Sequence, residues 1–341
     1  MRASFVSRLV SIGAVAFGCA GPGTVDLKQL PASPIAVMYR DERLSLDRVN
    51  ALGDLAKRRE PSDTEGVVRL ETLDAMFGGE PDVQQRLRQV QGHFAFVDPA
   101  NGEARNVEGA PPGAKPLAWS PDRTKLVISG RWRETAQLFV WDRATATAEI
   151  VTSGSRDHPM GCLGPGGRLV AVEVERVAGG FRGRLMVTPP GGGGLRPLTP
   201  GPNDILAACS PTEPLVAYVT AGDDGVLNVA VLELDHPDAK PRLVGRGQDP
   251  VFTPDGAWIV YAARTAQGQR LARVRPDGSG RSPVGVGPDD ESHPAVSPDG
   301  AYVAYVVTDL TKRERLRVRR FPDGSGDRPL VETGDASAPV W

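Results

Sequence analysis

The chain has 341 residues, of which 40 are glycine and 31 proline, about a fifth of the total against a usual background near 12%. Glycine and proline cost about 1 and 3 kcal/mol in a helix interior, which argues against a helical bundle, a coiled coil or a multi-span membrane protein. Hydrophobic residues at 40% argue against disorder and leave a turn-rich, mostly β protein with a sizeable core. The net charge of −2 shows no basic excess of the kind a nucleic-acid binder gathers on one face, so no nucleic-acid partner is expected.

Residues 1–18 read as an address and not as part of the fold. Arg2 and Arg8 supply a positive start, and residues 9–17 are apolar, uncharged and too short to span a bilayer, which needs about 20 residues. The segment Ala16-Phe17-Gly18-Cys19 resembles the bacterial lipoprotein signal. That resemblance implies lipidation of Cys19. With no acidic residue after it, it also implies anchoring to the outer membrane, facing the periplasm or the cell surface. Residues 19–32, opening Ala20-Gly21-Pro22-Gly23, are expected to form a flexible tether.

Ile35-Ala36-Val37-Met38-Tyr39-Arg40 reads as a strand. Residues 42–91 then form a charged insertion. Leu46, Val49, Leu52 and Leu55 stand at helical spacing, and residues 82–91 make a second short helix after Pro81. The insertion is either a cap on one end of the fold or a passive addition.

Five later segments share one pattern: an apolar strand, a proline-centred turn and a second apolar strand. They are Leu117-Ala118-Trp119-Ser120-Pro121-Asp122, Gly161-Cys162-Leu163-Gly164-Pro165-Gly166, Ala207-Ala208-Cys209-Ser210-Pro211-Thr212, Pro250-Val251-Phe252-Thr253-Pro254-Asp255 and Pro294-Ala295-Val296-Ser297-Pro298-Asp299. Their turn prolines step by 44, 46, 43 and 44 residues. This is the period of propeller repeats, in which each unit is a four-stranded sheet stacked on its neighbours. Pro-Asp-Gly makes the turn because proline fixes φ and glycine admits φ > 0. Second strands are expected at 125–129, 169–174, 215–219, 258–262 and 302–307, and third strands at places such as 138–141 and 227–234. The basic run at 312–320 reads as a solvated outer strand with alternating arginines.

At these residues the chain resembles the TolB-like propeller family, whose repeat has a Pro-x-x-Ser-Pro-Asp-Gly core. Ser297-Pro298-Asp299-Gly300 matches fully and Thr253-Pro254-Asp255-Gly256 nearly so, whereas Gly164-Pro165-Gly166-Gly167 and Ser210-Pro211-Thr212-Glu213 depart from it. The resemblance covers about residues 93–341 and implies a binding platform.

Ser337-Ala338-Pro339-Val340-Trp341 is the start of one more repeat, with Trp341 where Trp119 and Phe252 stand. Phe94-Ala95-Phe96-Val97-Asp98 copies Leu138-Phe139-Val140-Trp141-Asp142 at a spacing of 44. The expected fold is therefore an all-β, six-bladed β-propeller of four-stranded blades over residues 33–341. Full blades lie at about 116–155, 156–203, 204–248, 249–291 and 292–337. A composite blade from both chain ends (33–41, 92–110 and 338–341) closes the ring and leaves no open edge, and residues 42–91 are the short helical insertion.

No catalytic motif stands in the sequence: there is no Gly-x-Ser-x-Gly, Walker loop, calcium loop or His-Glu-x-x-His. Polar residues do recur just before the innermost strands. Asp157, His158, Asp204, Asp249, His293 and Asp335 are expected to gather as an acid-rich ring at one mouth of the central channel. The ring consists either of turn caps that bind water or of a mouth for a peptide or a cation. No cofactor and no metal ligand set is expected, although the ring leaves room for a calcium ion. Cys162 and Cys209 lie on adjacent innermost strands, one register apart. A disulfide needs Cα atoms within about 7 Å, and neighbouring blades are usually farther apart, so the two read as small buried hydrophobes. The expected function is a non-enzymatic, lipid-anchored, monomeric platform that binds an envelope protein or peptide and meets the membrane through Cys19. The alternative is a propeller enzyme, a hydrolase or lyase, with its site at the channel mouth.

Overall fold

The computed structural model describes residues 23–40, 93–177, 180–222, 224–236, 239–285, 290–308, 314–331 and 335–341. The expected signal segment, Cys19 and the helical insertion at 42–91 lie outside the described residues. Among the described residues the chain forms strands, apart from two three-residue 3-10 helices.

The second strand of each unit sets the core. Lys125–Trp132, Leu169–Val177, Leu215–Ala221, Ile259–Thr265 and Tyr302–Thr308 extend the expected strands by one to three residues, mostly at the C-terminal end. Four-residue runs such as Val216–Val219, Ile259–Ala262 and Val303–Val306 are at most 2% exposed along their length. Successive strand residues point to opposite faces, so each sheet is covered on both sides. Each buried valine or isoleucine among them contributes about 1.5–3 kcal/mol. The core lies between the sheets: Val170, Val172 and Leu185 pack on Val216, Tyr218 and Leu232, and Val260 and Leu271 pack on Val303 and Tyr305.

The six first strands are Lys115–Trp119, Asp157–Leu163, Asp204–Cys209, Arg242–Phe252, Asp290–Val296 and Asp335–Val340. Each packs on the next, and the last packs on the first, so the strands surround a central channel. The C-terminal strand pairs with Ile35–Arg40, which pairs with His93–Val97 and through it with Ala104–Asn106. One sheet thus joins both ends of the chain. Trp341 donates from Nε1 to the Ser33 carbonyl at 2.9 Å, and its own carbonyl accepts from Arg123 of the next sheet at 2.9 Å.

The sheets correct the expectation of six separate four-stranded blades. Four blades stand as separate four-stranded sheets, and the remaining seven strands form one continuous sheet. The cause is Arg242–Phe252, an unbroken eleven-residue strand. Its first half pairs back to Asn228–Val231 and its second half pairs forward to Ile259–Ala263. No turn interrupts it there, so the ladder runs through.

Local chemistry explains the turns. Ser297 Oγ donates to Asp299 Oδ1 at 2.5 Å and accepts from Tyr302 N at 2.9 Å, while Gly300 takes φ +71° and closes on the Ser297 carbonyl at 2.9 Å. Thr253 with Asp255, and Ser120 with Asp122, repeat the hydroxyl–carboxylate contact at 2.5 and 2.6 Å. These hydrogen bonds are the leading cause of lowered Asp255 and Asp122 pKa values.

Three further expectations change. Residues 23–32 are not a free tether: Val25 and Leu30 are buried in the core, and Leu27–Gln29 is a 3-10 helix capped by Asp26. The basic run is not wholly solvated. Arg319 is 2% exposed and forms two 2.8 Å bonds to Glu291, itself 2% exposed, while its guanidinium lies 4.3 Å over the Tyr305 ring. Cys162 and Cys209 are disulfide-bonded, with Cα atoms 5.6 Å apart. First strands are the innermost ones, where neighbouring sheets converge. Gly161 beside Cys162 lets the preceding sheet come close on the opposite face, because a Cβ there would meet Leu138 Cδ1 at 2.5 Å and the Val170 carbonyl at 2.6 Å.

Candidate functional site

The channel wall is built from an interruption common to all six first strands. The sequence places Lys115-Pro116, His158-Pro159, Asp249-Pro250, His293-Pro294 and Ala338-Pro339 within five of them, the first pair opening its strand. Proline has no N–H to give the ladder. Each strand shifts register at this level, including Asp204–Cys209, which lacks the proline. The bulge is an extra residue that re-aims side chains. In four strands the bulged residue is left-handed without being glycine: Leu206 at φ 53°, Asp249 at 54°, His293 at 49° and Ala338 at 48°. Such a conformation costs about 1–3 kcal/mol and persists only where the surroundings enforce it.

All four of these residues line a channel of about 1000 Å³. Its wall is mainly apolar, with Leu117, Met160, Leu206, Val251 and Val340 among its side chains. This corrects the expected acid-rich ring. Counted back from the turn prolines, the six candidates fall at different levels, and each level faces a different place. Asp249 and His293 share the bulge level, five residues before Pro254 and Pro298, and meet in the channel. His293 N donates to Asp249 Oδ2 at 3.2 Å, and His293 Nδ1 lies 3.7 Å from the same oxygen. The Asp249 side chain is 8% exposed and that of His293 is 43% exposed.

His158 and Asp204 lie two residues earlier in register and are buried between sheets, at 5% and 6% exposure. Glu291, which was not among the candidates, shares their level. His158 Nδ1 is 3.2 Å from Gln137 Oε1, an atom that only accepts, so Nδ1 carries the proton. Its Nε2 stands 4.0 Å from Glu173 Oε2, and burial lowers its pKa despite the raising effect of Glu173. Burial, with the charge of Asp204 adding, raises the pKa of the Tyr218 phenol. Asp157 is one residue earlier again and reaches the channel rim. Its Oδ1 accepts from Ala136 N of the preceding sheet at 2.7 Å, as Asp290 does from Gln269 N at 2.8 Å. Asp157 therefore clasps two sheets together. Asp335 opens the C-terminal strand, and its side chain lies outside the described set.

The sequence signal that separates these groups is register, counted residue by residue from the turn proline. Ser292 was also missed: its Oγ lies 3.0 Å from His293 Nδ1. Serine and aspartate thus converge on one ring nitrogen. A nucleophilic triad needs them on opposite nitrogens, so this cluster does not activate Ser292. Among the described residues no three His, Cys, Asp or Glu side chains gather to hold a metal ion, so the calcium ion allowed by the sequence has no ready donor set there. The mouth carries exposed apolar side chains at the hairpin ends of three sheets: Trp132 at 47%, Phe181 at 56% and Leu227 at 36%. Phe181 continues into the channel lining. No helix of the described residues is long and apolar enough to cross a membrane.

No family profile matches the chain. It is 27% identical over 239 residues to an uncharacterised protein of Agrobacterium fabrum, covering 65% of this chain and 79% of that one. Among solved structures it is similar to a protein assigned as TolB from Agrobacterium tumefaciens, at a TM-score of 0.53 and 22% identity over 64% of this chain and 81% of that one. It is also similar to TolB from Acinetobacter baumannii, at 0.60 and 17% identity over 73% and 62% of the two chains. Hydrazine synthase from Kuenenia stuttgartiensis matches at 0.57 and 11% identity over 74% and 43%. At such identities the likeness carries the fold alone, and a fold does not choose between binding and catalysis. The chain is thus an all-β propeller whose structural neighbours include TolB-like propellers.

Proposed function

We propose that this protein is a non-enzymatic propeller of the bacterial envelope, lipid-anchored at Cys19, that binds a protein or peptide segment at its channel mouth. One observation carries the reading: a channel of about 1000 Å³, mainly apolar, into which strained bulges turn Asp249 and His293. An apolar concavity with a few converging polar groups suits an extended segment with one or two oriented hydrogen bonds. The exposed Trp132 and Phe181 widen the contact at the rim.

Asp249→Ala is the direct test. Losing one charge-assisted hydrogen bond, about 1.5–3 kcal/mol, weakens binding roughly ten- to a hundredfold. Crosslinking pull-downs from intact envelopes should lose the wild-type partner in Asp249→Ala and His293→Ala while the melting temperature stays close to wild type. Recovery of the same partner at undiminished yield would remove the mouth from consideration. The second reading, a hydrolase or lyase acting in the channel, draws on the Asp249–His293 pair. The shared Nδ1 contact weighs against its serine form.

A further inference from the structure

The two ends of the propeller differ, and the chain enters from one of them. The channel mouth is at the hairpin end: the channel is lined by Arg131 and Glu134, beside the hairpin where Trp132 pairs with Thr135. The proline turns lie at the other end. There the turn after Arg320 sits against the Ser297–Gly300 turn, with Phe321 N bonded to the Ala301 carbonyl at 2.8 Å. Residues 23–25 are fixed to this same turn. Arg320 donates to the Gly23 carbonyl at 2.8 Å, Val25 N donates to the Gly326 carbonyl at 2.8 Å, and Arg328 donates to the Val25 carbonyl at 3.1 Å. Val25 is 1% exposed, so the attachment is part of the core.

We infer that the propeller stands with its proline-turn face against the lipid headgroups and its channel mouth turned away from the bilayer. This rests on the lipid anchor at Cys19 proposed above. Cys19 is four residues from Gly23, a reach of at most about 14 Å. The seven-residue first strand Asp290–Val296 alone is about 23 Å long, and a path to the mouth must also go round the rim. The leash is therefore too short to let the mouth meet the membrane. Side-chain character agrees. Near the attachment the exposed side chains include Thr24, Asp26, Lys28, Gln29, Asp323 and Asp327, all polar and more acidic than basic, which suits contact with headgroups without insertion. Trp132, Phe181 and Leu227 are at the far end. There they are free for a protein partner and out of reach of the acyl chains.

The test uses the full-length lipidated protein in vesicles carrying headgroup-labelled quencher lipids. A fluorophore is placed at Lys28→Cys, near the attachment, or at Glu134→Cys, at the mouth. Quenching should be several-fold stronger at position 28. A Gly/Ser spacer of about twenty residues after Cys19, with a root-mean-square reach near 25 Å, should bring the two signals together. Equal quenching in the unmodified leash, or stronger quenching at 134, overturns the orientation. A difference that survives the spacer overturns the leash as its cause. Mass analysis of the N-terminal peptide and vesicle binding of Cys19→Ser keep the two failures apart. A protein without lipid on Cys19 refutes the anchor and the orientation together, whereas a lipidated protein with equal quenching refutes the orientation alone.

Discussion

Cutting the Cys162–Cys209 bond should lower stability by an amount set mainly by the loop that it closes. The cysteines are 47 residues apart in sequence. In the chain-entropy model, a loop of that size restrains the unfolded chain by about 4 kcal/mol at 25 °C. A domain of this size shifts by about 2 °C per kcal/mol, so the melting temperature should fall by about 8 °C. Two routes to the same loss separate the bond from the packing of its sulfurs. Reduction keeps both sulfurs in place. Cys162→Ala with Cys209→Ala removes them, and since Cys162 is 1% exposed, it should cost about 1–2 kcal/mol more. Calorimetry on oxidised, reduced and double-alanine protein gives the three values. Thiol counting on the unreduced, unfolded chain gives the bonding state. Two free thiols there, or a reduced protein that melts within about 2 °C of the oxidised one, would refute the reasoning.

Arg319→Met should cost about 3–5 kcal/mol in urea denaturation, because it leaves the Glu291 carboxylate buried without its guanidinium partner, keeping the Leu271 N–H at 2.9 Å. Arg319→Met with Glu291→Leu should recover most of that loss, since no charge is then stranded; equal losses in the two variants contradict the account. His158 should give a pH dependence. Burial lowers its folded pKa below the ordinary 6.5. Its contribution is therefore complete above pH 6.5 and falls as the medium is acidified from there toward the lowered value, where the unfolded chain binds the extra proton. Melting curves between pH 7 and pH 5 should flatten in His158→Gln relative to wild type, and parallel curves would deny His158 that role.

Local chemistry carries much of this fold on its face. The hydroxyl, proline, carboxylate and glycine of Ser297–Gly300 complete their turn with bonds spanning at most five residues, so the motif is legible wherever it stands. The apolar runs of the second strands are legible for a similar reason, because a strand covered on both faces has no polar alternation to lose. The pairing of 335–340 with 35–40 follows from an unfinished repeat at one end of the chain and matching strands at the other.

Other features were decided only by tertiary structure. A bulge inserts one residue, and a one-residue slip exchanges the faces of a strand. That slip places Asp249 and His293, five residues before their turn prolines, in the channel and leaves His158 and Asp204, seven before theirs, between sheets. Convergence of the innermost strands brings Cys162 to Cys209, a distance that repeat spacing does not carry. The missing turn at Gly247 fuses two units into one seven-stranded sheet. Arg319 looks like its solvated neighbours until Glu291, 28 residues away, meets it in the core. Sequence by itself determined what is settled within a few residues, namely turns, strands and their period. Tertiary structure decided which face each polar group meets, because that depends on register and on the packing of sheets distant in the chain.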